Sequence, residues 1–263
     1  MRYCRFVHRG QPKYGLIETE NTRDYIIRAI ATMPQDYNTF AGAEPLHVLL
    51  EEAELLASVV PTKIVCVGRN YKAHAEELGH EIPKYPLIFS KPTSAIIAPG
   101  ADIKRPAKLS QRVDYEGELG VIIGRECRHI PEDHDVRSYI HGYTVVNDVT
   151  ARDLQNKDGQ WTRAKGFDTF CPVGPIVNDA LDPWTGVEVE TRVNGAVRQH
   201  GNTSSFIFPL DVILRFISEV MTLFPGDLIA TGTPEGVGPI IAGDVVEVSV
   251  AGIGTLRNPV ADE

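Results

Sequence analysis

The sequence predicts an α+β protein that is mainly β. Three observations carry this. Stretches with strand character outnumber those with helical periodicity, the links between them are short or irregular, and no regular βαβ alternation, G-x-G-x-x-G or P-loop stretch accompanies them. The 263 residues fit one large domain with a small appendage. A content of 43% hydrophobic and 23% charged residues is enough for a packed core.

The elements follow in chain order. "MRYCRFVHRGQPKYGLIETE" reads as two short strands about a Gly-Gln-Pro turn. Pro61 and Thr62 mark a boundary, with a small N-terminal region over residues 1–60 and the main domain over 61–263. "KIVCVG" is a buried strand. In "RNYKAHAEELG", Ala, Glu and Leu favour helix and Gly79 is the C-cap. "HEIPKYP" is a loop with two prolines, and "LIFSKPTSAII" resumes strand. "PEDHDVRSYI" predicts a short helix with acidic residues in its first turn, as the helix dipole favours. "HGYTVVNDVTA" is the next strand. "VEVETRVNGAVRQ" is a hairpin, with alternating valines about the type I′ pair Asn194-Gly195. Leu210, Ile213, Leu214, Ile217 and Val220 recur at helical spacing in "PLDVILRFISEVMTL" and predict an amphipathic helix. "DVVEVSVAGIGTLRNPV" closes the chain as a second hairpin turned by glycine.

Composition excludes several function classes. A net charge of −9 argues against a nucleic-acid partner, which needs a basic face. No run of about 18 apolar residues is present to span a membrane, and the N-terminus lacks an apolar signal region. A cytoplasmic enzyme or binding protein is expected. Cys4, Cys66, Cys127 and Cys171 lack C-x-x-C spacing and read as buried apolar residues in a reduced compartment.

"VDYEGELGVIIG" places two carboxylates, Glu116 and Glu118, at the head of an apolar, β-branched run. Residues i and i+2 of a strand share a face, so the two anions point the same way and raise each other's pKa. A divalent cation is the simplest device for holding them, with Asp148 in "VVNDVTARD" as third ligand. An all-oxygen set favours Mg²⁺, Mn²⁺ or Ca²⁺ over Zn²⁺, and three protein ligands leave positions for water or substrate. The same spacing also fits two solvated carboxylates on an edge strand, and spacing alone does not separate the two.

Other residues gather around this candidate centre. His74 and Glu77, at i and i+3, share a helix face, and a carboxylate beside an imidazole suits a general base. Glu76 does not share that face. Arg152, Gln155 and Lys165 follow Asp148 and suit a substrate carboxylate or an oxyanion. "ATGTPEG" has the composition of a loop that offers backbone N–H groups to an anion. Lys91 stands at a strand end in "FSKPTS". Taken singly, each of these also fits an ordinary solvated side chain or a plain turn.

Together the stretches "GRNYKAHAEELG", "PLIFSKPTSAI", "VDYEGELGVIIG", "GYTVVNDVTARDLQ", "KGFDTFCPVGP", "VNGAVRQHGNTSSFIF" and "ATGTPEGVGPI" resemble the fumarylacetoacetate hydrolase family. They stand in the family's order and cover the chain from about Ile64 to Pro239. The resemblance implies a mixed β-roll, a homodimer, and Mg²⁺ or Mn²⁺ held by Glu116, Glu118 and Asp148. It implies that His74 and Glu77 form an acid/base dyad on a lid, with Lys165 in catalysis. Lys91, Arg152, Gln155 and Thr233 are implied in substrate binding. The additional upstream acidic ligand of the large eukaryotic members has no counterpart here, which argues against fumarylacetoacetate itself as substrate.

Such a site accepts a small 2-oxo acid through its carboxylate and keto oxygens and stabilises an enolate at C3. Hydrolysis of an acylpyruvate and decarboxylation of oxaloacetate lead to that enolate, and isomerisation of a 2-hydroxymuconate-type dienoate is the alternative. A non-catalytic protein keeping the metal as a staple would be expected to lack His74, Glu77 or Lys165, and all three are present.

Overall fold

The computed structural model describes residues 1–77 and 81–263. Its strands are β1 (Arg2–His8), β2 (Gln11–Glu20), β3 (Arg23–Ile30), β4 (Glu44–Leu49), β5 (Ile64–Gly68), β6 (Leu87–Lys91), β7 (Val113–Tyr115), β8 (Gly117–Ile123), β9 (Ile140–Asn147), β10 (Cys171–Asn178), β11 (Glu188–Val193), β12 (Ala196–Asn202), β13 (Leu228–Ala230), β14 (Val245–Val250) and β15 (Gly254–Asp262). The α-helices are α1 (Lys72–Glu77), α2 (Arg152–Asp158), α3 (Thr162–Lys165) and α4 (Leu210–Val220). The mainly-β α+β expectation holds.

The principal sheet runs in the order β4-β3-β2-β1-β10-β9-β8-β13-β5-β6. Its named pairs are antiparallel except β13 with β5. The N-terminal strands are continuous with it, because β1 pairs with β10. A second sheet, β12-β11-β14-β15, is extended by residues 103–105. Alternation along β11 and β14 buries Val189, Val193, Val246, Val248 and Val250 in one apolar cluster with Leu119, Val121 and Val145 of the principal sheet. The other face of the principal sheet buries Ile122, Val146, Val173 and Val177 with Tyr3 and Leu16. Every residue of β8 is therefore buried, which is why Leu119–Ile123 form a continuous apolar run rather than an alternating one, with the buried Glu118 the exception.

Several elements form as the sequence predicts. The Asn194-Gly195 turn has both residues at positive φ, 53° and 79°, as a type I′ turn requires. On α4, Leu210, Ile213, Leu214 and Ile217 are buried, but Val220 is exposed at the last turn. The four cysteines are free and buried.

Three expectations are corrected. The first hairpin turns at Arg9-Gly10, both at positive φ, and Gln11 and Pro12 already belong to β2. Strand β6 stops at Lys91, because Pro92 offers no N–H to continue a ladder, and a 3₁₀ turn over Thr93–Ala95 follows. "PEDHDVRSYI" forms only a 3₁₀ turn, Val136–Tyr139, capped by Asp135. The carbonyls of Ile130, Pro131, Glu132 and His134 accept from the Arg215 guanidinium, which holds the segment as an irregular turn; of these, Pro131 O also accepts the His134 N–H at 3.1 Å. Gly79 lies outside the described residues. Among those residues, no helix is long and apolar enough to cross a membrane.

Asp227 ties the strands that lead to the cleft. Its buried carboxylate accepts from Thr62 N (3.0 Å), Thr62 Oγ1 (2.7 Å), Lys63 N (3.1 Å), Lys63 Nζ (2.5 Å) and Phe224 N (2.8 Å). These bonds join the entry to β5 with the turn before β13. Burial opposes the charge, but Lys63, the Phe224 amide and Thr62 outweigh it and hold the carboxyl below its usual range. That stabilisation is present above the unfolded-state pKa and is lost as pH falls through the lower folded-state value. Asp227→Ala should cost roughly 3 kcal/mol in urea unfolding at pH 7, and less near pH 3. An unchanged midpoint at pH 7 would refute the anchoring role.

Candidate active site

Register alone brings the three carboxylates together. Strands β8 and β9 pair antiparallel with Gly117 opposite Asn147, so one step outward sets Glu116 opposite Asp148. The Asp148 N–H donates to Glu116 O at 2.8 Å, and the Glu116 N–H donates to Asn147 Oδ1 at 3.0 Å. Glu118 lies two residues on, on the face of Glu116. Between them, Gly117 leaves room for the second sheet: a Cβ there would stand 2.1 Å from Thr191 Oγ1 and 2.8 Å from Val248 Cγ1. One oxygen from each of Glu116, Glu118 and Asp148 lies within 4.8 Å of the others. All three residues are at most 5% exposed, within or at the ends of interior strands, so the solvated-edge alternative does not hold.

Cations surround two of the three. Lys165 Nζ donates to Glu116 Oε2 (2.7 Å) and Asp148 Oδ2 (2.6 Å), and Lys91 Nζ donates to Asp148 Oδ1 (2.6 Å). The Arg152 guanidinium reaches Glu116 Oε1 (2.5 Å), Asp114 Oδ2 (2.9 Å) and Gln155 Oε1 (2.6 Å). Burial opposes the charge on Glu116, yet Lys165 and Arg152 hold its carboxyl far below the usual range. Burial likewise opposes the charge on Lys165, and Asp148 and Glu116 more than reverse that, keeping it an ammonium.

Glu118 differs. Among the described residues it is in no ion pair, and its Oε2 accepts only from the Gly232 N–H at 2.8 Å. Burial, then Asp148 and Glu116, push its pKa well above the usual range. A buried carboxylate with no cation, converging with two others, is a site that a divalent ion fits: all donors are oxygen, and added positive charge relieves the destabilised anion.

The carboxylates lie in a cleft of about 260 Å³ that His74, Arg152, Gln155, Lys165 and Thr233 also line. His74 is buried, with Nδ1 3.5 Å from Glu77 Oε2. Burial lowers its pKa, and Glu116 and Glu77 only partly counter this, so the imidazole is neutral at pH 7. Glu77, which is exposed, and Lys91, which is buried, are not among the residues that line the cleft. Both Glu77 oxygens accept from the Gly236 N–H at 3.1 Å. The anions served by the "ATGTPEG" amides are thus the protein's own Glu118 and Glu77. The Thr233 hydroxyl donates to Gly117 O at 2.9 Å and accepts from Gln199 Nε2 at 2.8 Å.

Sequence reasoning missed several participants. Asp114, buried beneath Arg152, and Gln199, whose Oε1 accepts the Gly117 N–H at 3.0 Å, both lie inside stretches singled out for other residues. Trp161 and Phe89 form one wall, edge to face with centroids 5.1 Å apart, and carried no sequence signal.

Residues 63–261 match the family model "Fumarylacetoacetate (FAA) hydrolase C-terminal", and residues 1–57 match "Rv2993c-like, N-terminal". The chain belongs to the fumarylacetoacetate hydrolase family. Within it, the chain is 40% identical over 224 residues to the oxaloacetate tautomerase YisK of Bacillus subtilis (strain 168), spanning 80% of this chain and 74% of that protein. Its fold superposes on the crystal structure of a 5-carboxymethyl-2-hydroxymuconate delta-isomerase from Mycobacterium smegmatis with TM-score 0.89 and 44% identity, over 100% of both chains. It also matches a fumarylpyruvate hydrolase from Pseudomonas aeruginosa in complex with Mn²⁺ and pyruvate, with TM-score 0.72 and 31% identity over 78% of this chain and 92% of that one.

The placement of Glu118 in this family site gives a measurable consequence. In chelator-treated protein, Glu118→Gln removes an uncompensated buried anion while keeping the side chain's shape. The variant should unfold at higher urea than wild type at pH 8, by roughly 1–3 kcal/mol, and should bind Mn²⁺ more weakly in calorimetry. The raised folded-state pKa destabilises the native state above the unfolded-state value, so the advantage should vanish near pH 4. Equal stability at pH 8 would show that Glu118 is not strained.

Proposed function

We propose that the protein is a divalent-metal-dependent enzyme that acts on a small 2-oxo acid through its enolate, hydrolysing an acylpyruvate or decarboxylating oxaloacetate to pyruvate. One observation carries the reading: three buried carboxylates converge in a cleft that also exposes a neutral imidazole and a buried ammonium to the same space. The family's tautomerase, isomerase and hydrolase members support enolate chemistry as the shared step.

Glu116, Glu118 and Asp148 would hold Mg²⁺ or Mn²⁺, which when bound supplies Lewis-acid polarisation of the 2-oxo group. Neutral His74, with Nδ1 turned to Glu77, leaves Nε2 to take a proton from water or to return one to C3. In hydrolysis, water adds at C4, the C3–C4 bond breaks, and its electron pair becomes the enolate that is protonated at C3. In decarboxylation the same bond breaks with loss of CO₂ and no water is consumed. Lys165 spends two of its three N–H donors on Glu116 and Asp148, which leaves one for a substrate oxygen. Arg152 holds Gln155 through its Oε1, so the Gln155 amide nitrogen remains a donor towards the cleft. Arg152 itself serves the carboxylates first. Lys91 orients Asp148, and Thr233 closes the wall.

Isomerisation of a 2-hydroxymuconate-type dienoate is a second reading, favoured by the full-length likeness to an isomerase structure. It uses the same proton transfer but breaks no carbon–carbon bond, so pyruvate release separates the two.

Purified protein should release pyruvate from oxaloacetate or acetylpyruvate with Mg²⁺ or Mn²⁺, and EDTA should abolish this. His74→Ala should lower kcat about 10²–10⁴-fold. Because burial depresses the His74 pKa, the acid limb of kcat/KM should fall below pH 6.5, the ordinary imidazole value. Glu77→Gln should move that limb lower still. Pyruvate release unaffected by EDTA, or a His74→Ala variant within a few-fold of wild type, would refute the assignment.

A further inference from the structure

The cleft holds a cation that the chemistry above does not use. Arg69 follows Gly68, the last residue of β5, and lines the same cleft as the carboxylates. The other two cations of the cleft wall, Arg152 and Lys165, are bound to protein carboxylates. Among the described residues the Arg69 guanidinium makes no hydrogen bond and no ion pair.

The surroundings hold Arg69 in place. Its backbone lies in the left-handed region at φ 56°, which costs a non-glycine residue of order 1 kcal/mol or more and persists only where neighbours enforce it. Asn70 is that enforcement. It is fully buried, its Nδ2 donates to Phe208 O and Thr231 O, its Oδ1 accepts from Phe208 N, and its carbonyl accepts from Ile207 N. On the other side, the Gly68 backbone packs on Trp161, where a Cβ would come within 2.7 Å of the indole. The Arg69 guanidinium stands 6.0 Å from the centre of that indole, within cation–π range.

The register gives the span. Gly120 pairs with Ala230, and Ala230 pairs with Cys66. Two residues along, the same register continued past the last paired residues sets Glu118, Gly232 and Gly68 in a row; the Thr231 N–H donates to Leu119 O, and the Gly232 N–H to the Glu118 carboxylate. Gly68 therefore stands about two interstrand spacings, on the order of 10 Å, from Glu118. A 2-oxo acid of four to seven carbons with its head at the carboxylates would bring its far end towards Arg69.

We propose that Arg69 is a specificity-determining residue that pairs with a second, distal carboxylate, so that the preferred substrate is a small 2-oxo diacid rather than a 2-oxo acid with a neutral tail. A planar guanidinium near an indole, with no protein partner among the described residues, can offer two parallel N–H donors to a carboxylate. Arg69 is only partly buried, and this partial desolvation lowers its pKa; a carboxylate ligand would offset it. This inference rests on the 2-oxo acid reading above.

The test needs no turnover. Calorimetry on Mn²⁺-loaded protein compares 2-oxoglutarate with 2-oxopentanoate, which share a head group and chain length and differ in the distal carboxylate. Wild type should bind 2-oxoglutarate at least about tenfold more tightly, the scale of a charge-assisted hydrogen bond. Arg69→Gln should reduce that preference to about twofold or less with 2-oxopentanoate affinity unchanged, and Arg69→Lys should keep part of it. A preference that survives Arg69→Gln, an equal loss for both ligands, or no preference in wild type would overturn the assignment. If wild type binds neither ligand, the 2-oxo acid reading itself fails.

Discussion

The structure turns on the burial of anions at the ends of two antiparallel strands. Four carboxylates, those of Asp114, Glu116, Glu118 and Asp148, are buried in one cluster. Three are paired with the buried cations Arg152, Lys165 and Lys91, and Glu118 is not. Breaking any one pair would leave a charge uncompensated in a medium where that is costly. The cluster therefore behaves as a unit, with Arg112 also pairing Asp114 from the surface, and the one carboxylate without a cation, Glu118, lines the cleft. Were Glu118 paired as well, the site would have little affinity for a metal.

The fold supplies what this cluster needs. Interior strands buried on both faces keep water out, while antiparallel register sets Glu116 against Asp148 without any loop having to place them. Lys91 reaches Asp148 from the end of β6, and Lys165 comes from α3, so the compensating cations arrive from two elements outside the strand pair. The Asp227 network joins the entry to β5 with the turn before β13, on the strands that carry Gly68 and lead to Gly232. The scaffold thereby ties together the strands that bring Gly232 to Glu118 and Arg69 to the cleft wall.

Much of this was legible in the sequence. The i, i+2 carboxylates could be read because strand periodicity is strict, and Asp148 because a polar residue closing an apolar strand stands out. The hairpin at Asn194-Gly195 and the apolar stripe of α4 follow from local chemistry. What could not be read depends on distant partners. "PEDHDVRSYI" has helical composition, but Arg215, some 80 residues later, takes its carbonyls. Arg152 resembles a free substrate-binding cation until Asp114 and Glu116 are seen to hold it. Nothing local tells Trp161 from a core tryptophan, or Arg69 from a surface arginine.

This division bears on why one family hosts a tautomerase, an isomerase and hydrolases. On the proposed reading, the carboxylate cluster, His74 and Lys165 would act at the 2-oxo head, where every branch requires the same enolate. They would fix the class of chemistry and leave the outcome open. The outcome depends on what lies at C4 and beyond: a carbonyl open to water, a carboxylate able to leave as CO₂, or a conjugated chain able to accept a proton. Those groups would extend from the head along a cleft whose lining also includes Arg69 and Trp161, where cationic charge and aromatic surface meet. Substitution there can change the substrate without disturbing the charge balance at the head, whereas substitution among the carboxylates and their cations disturbs folding, metal affinity and chemistry together. The carboxylate head, built from mutually dependent buried charges, should therefore tolerate substitution less well than the wall at Arg69 and Trp161.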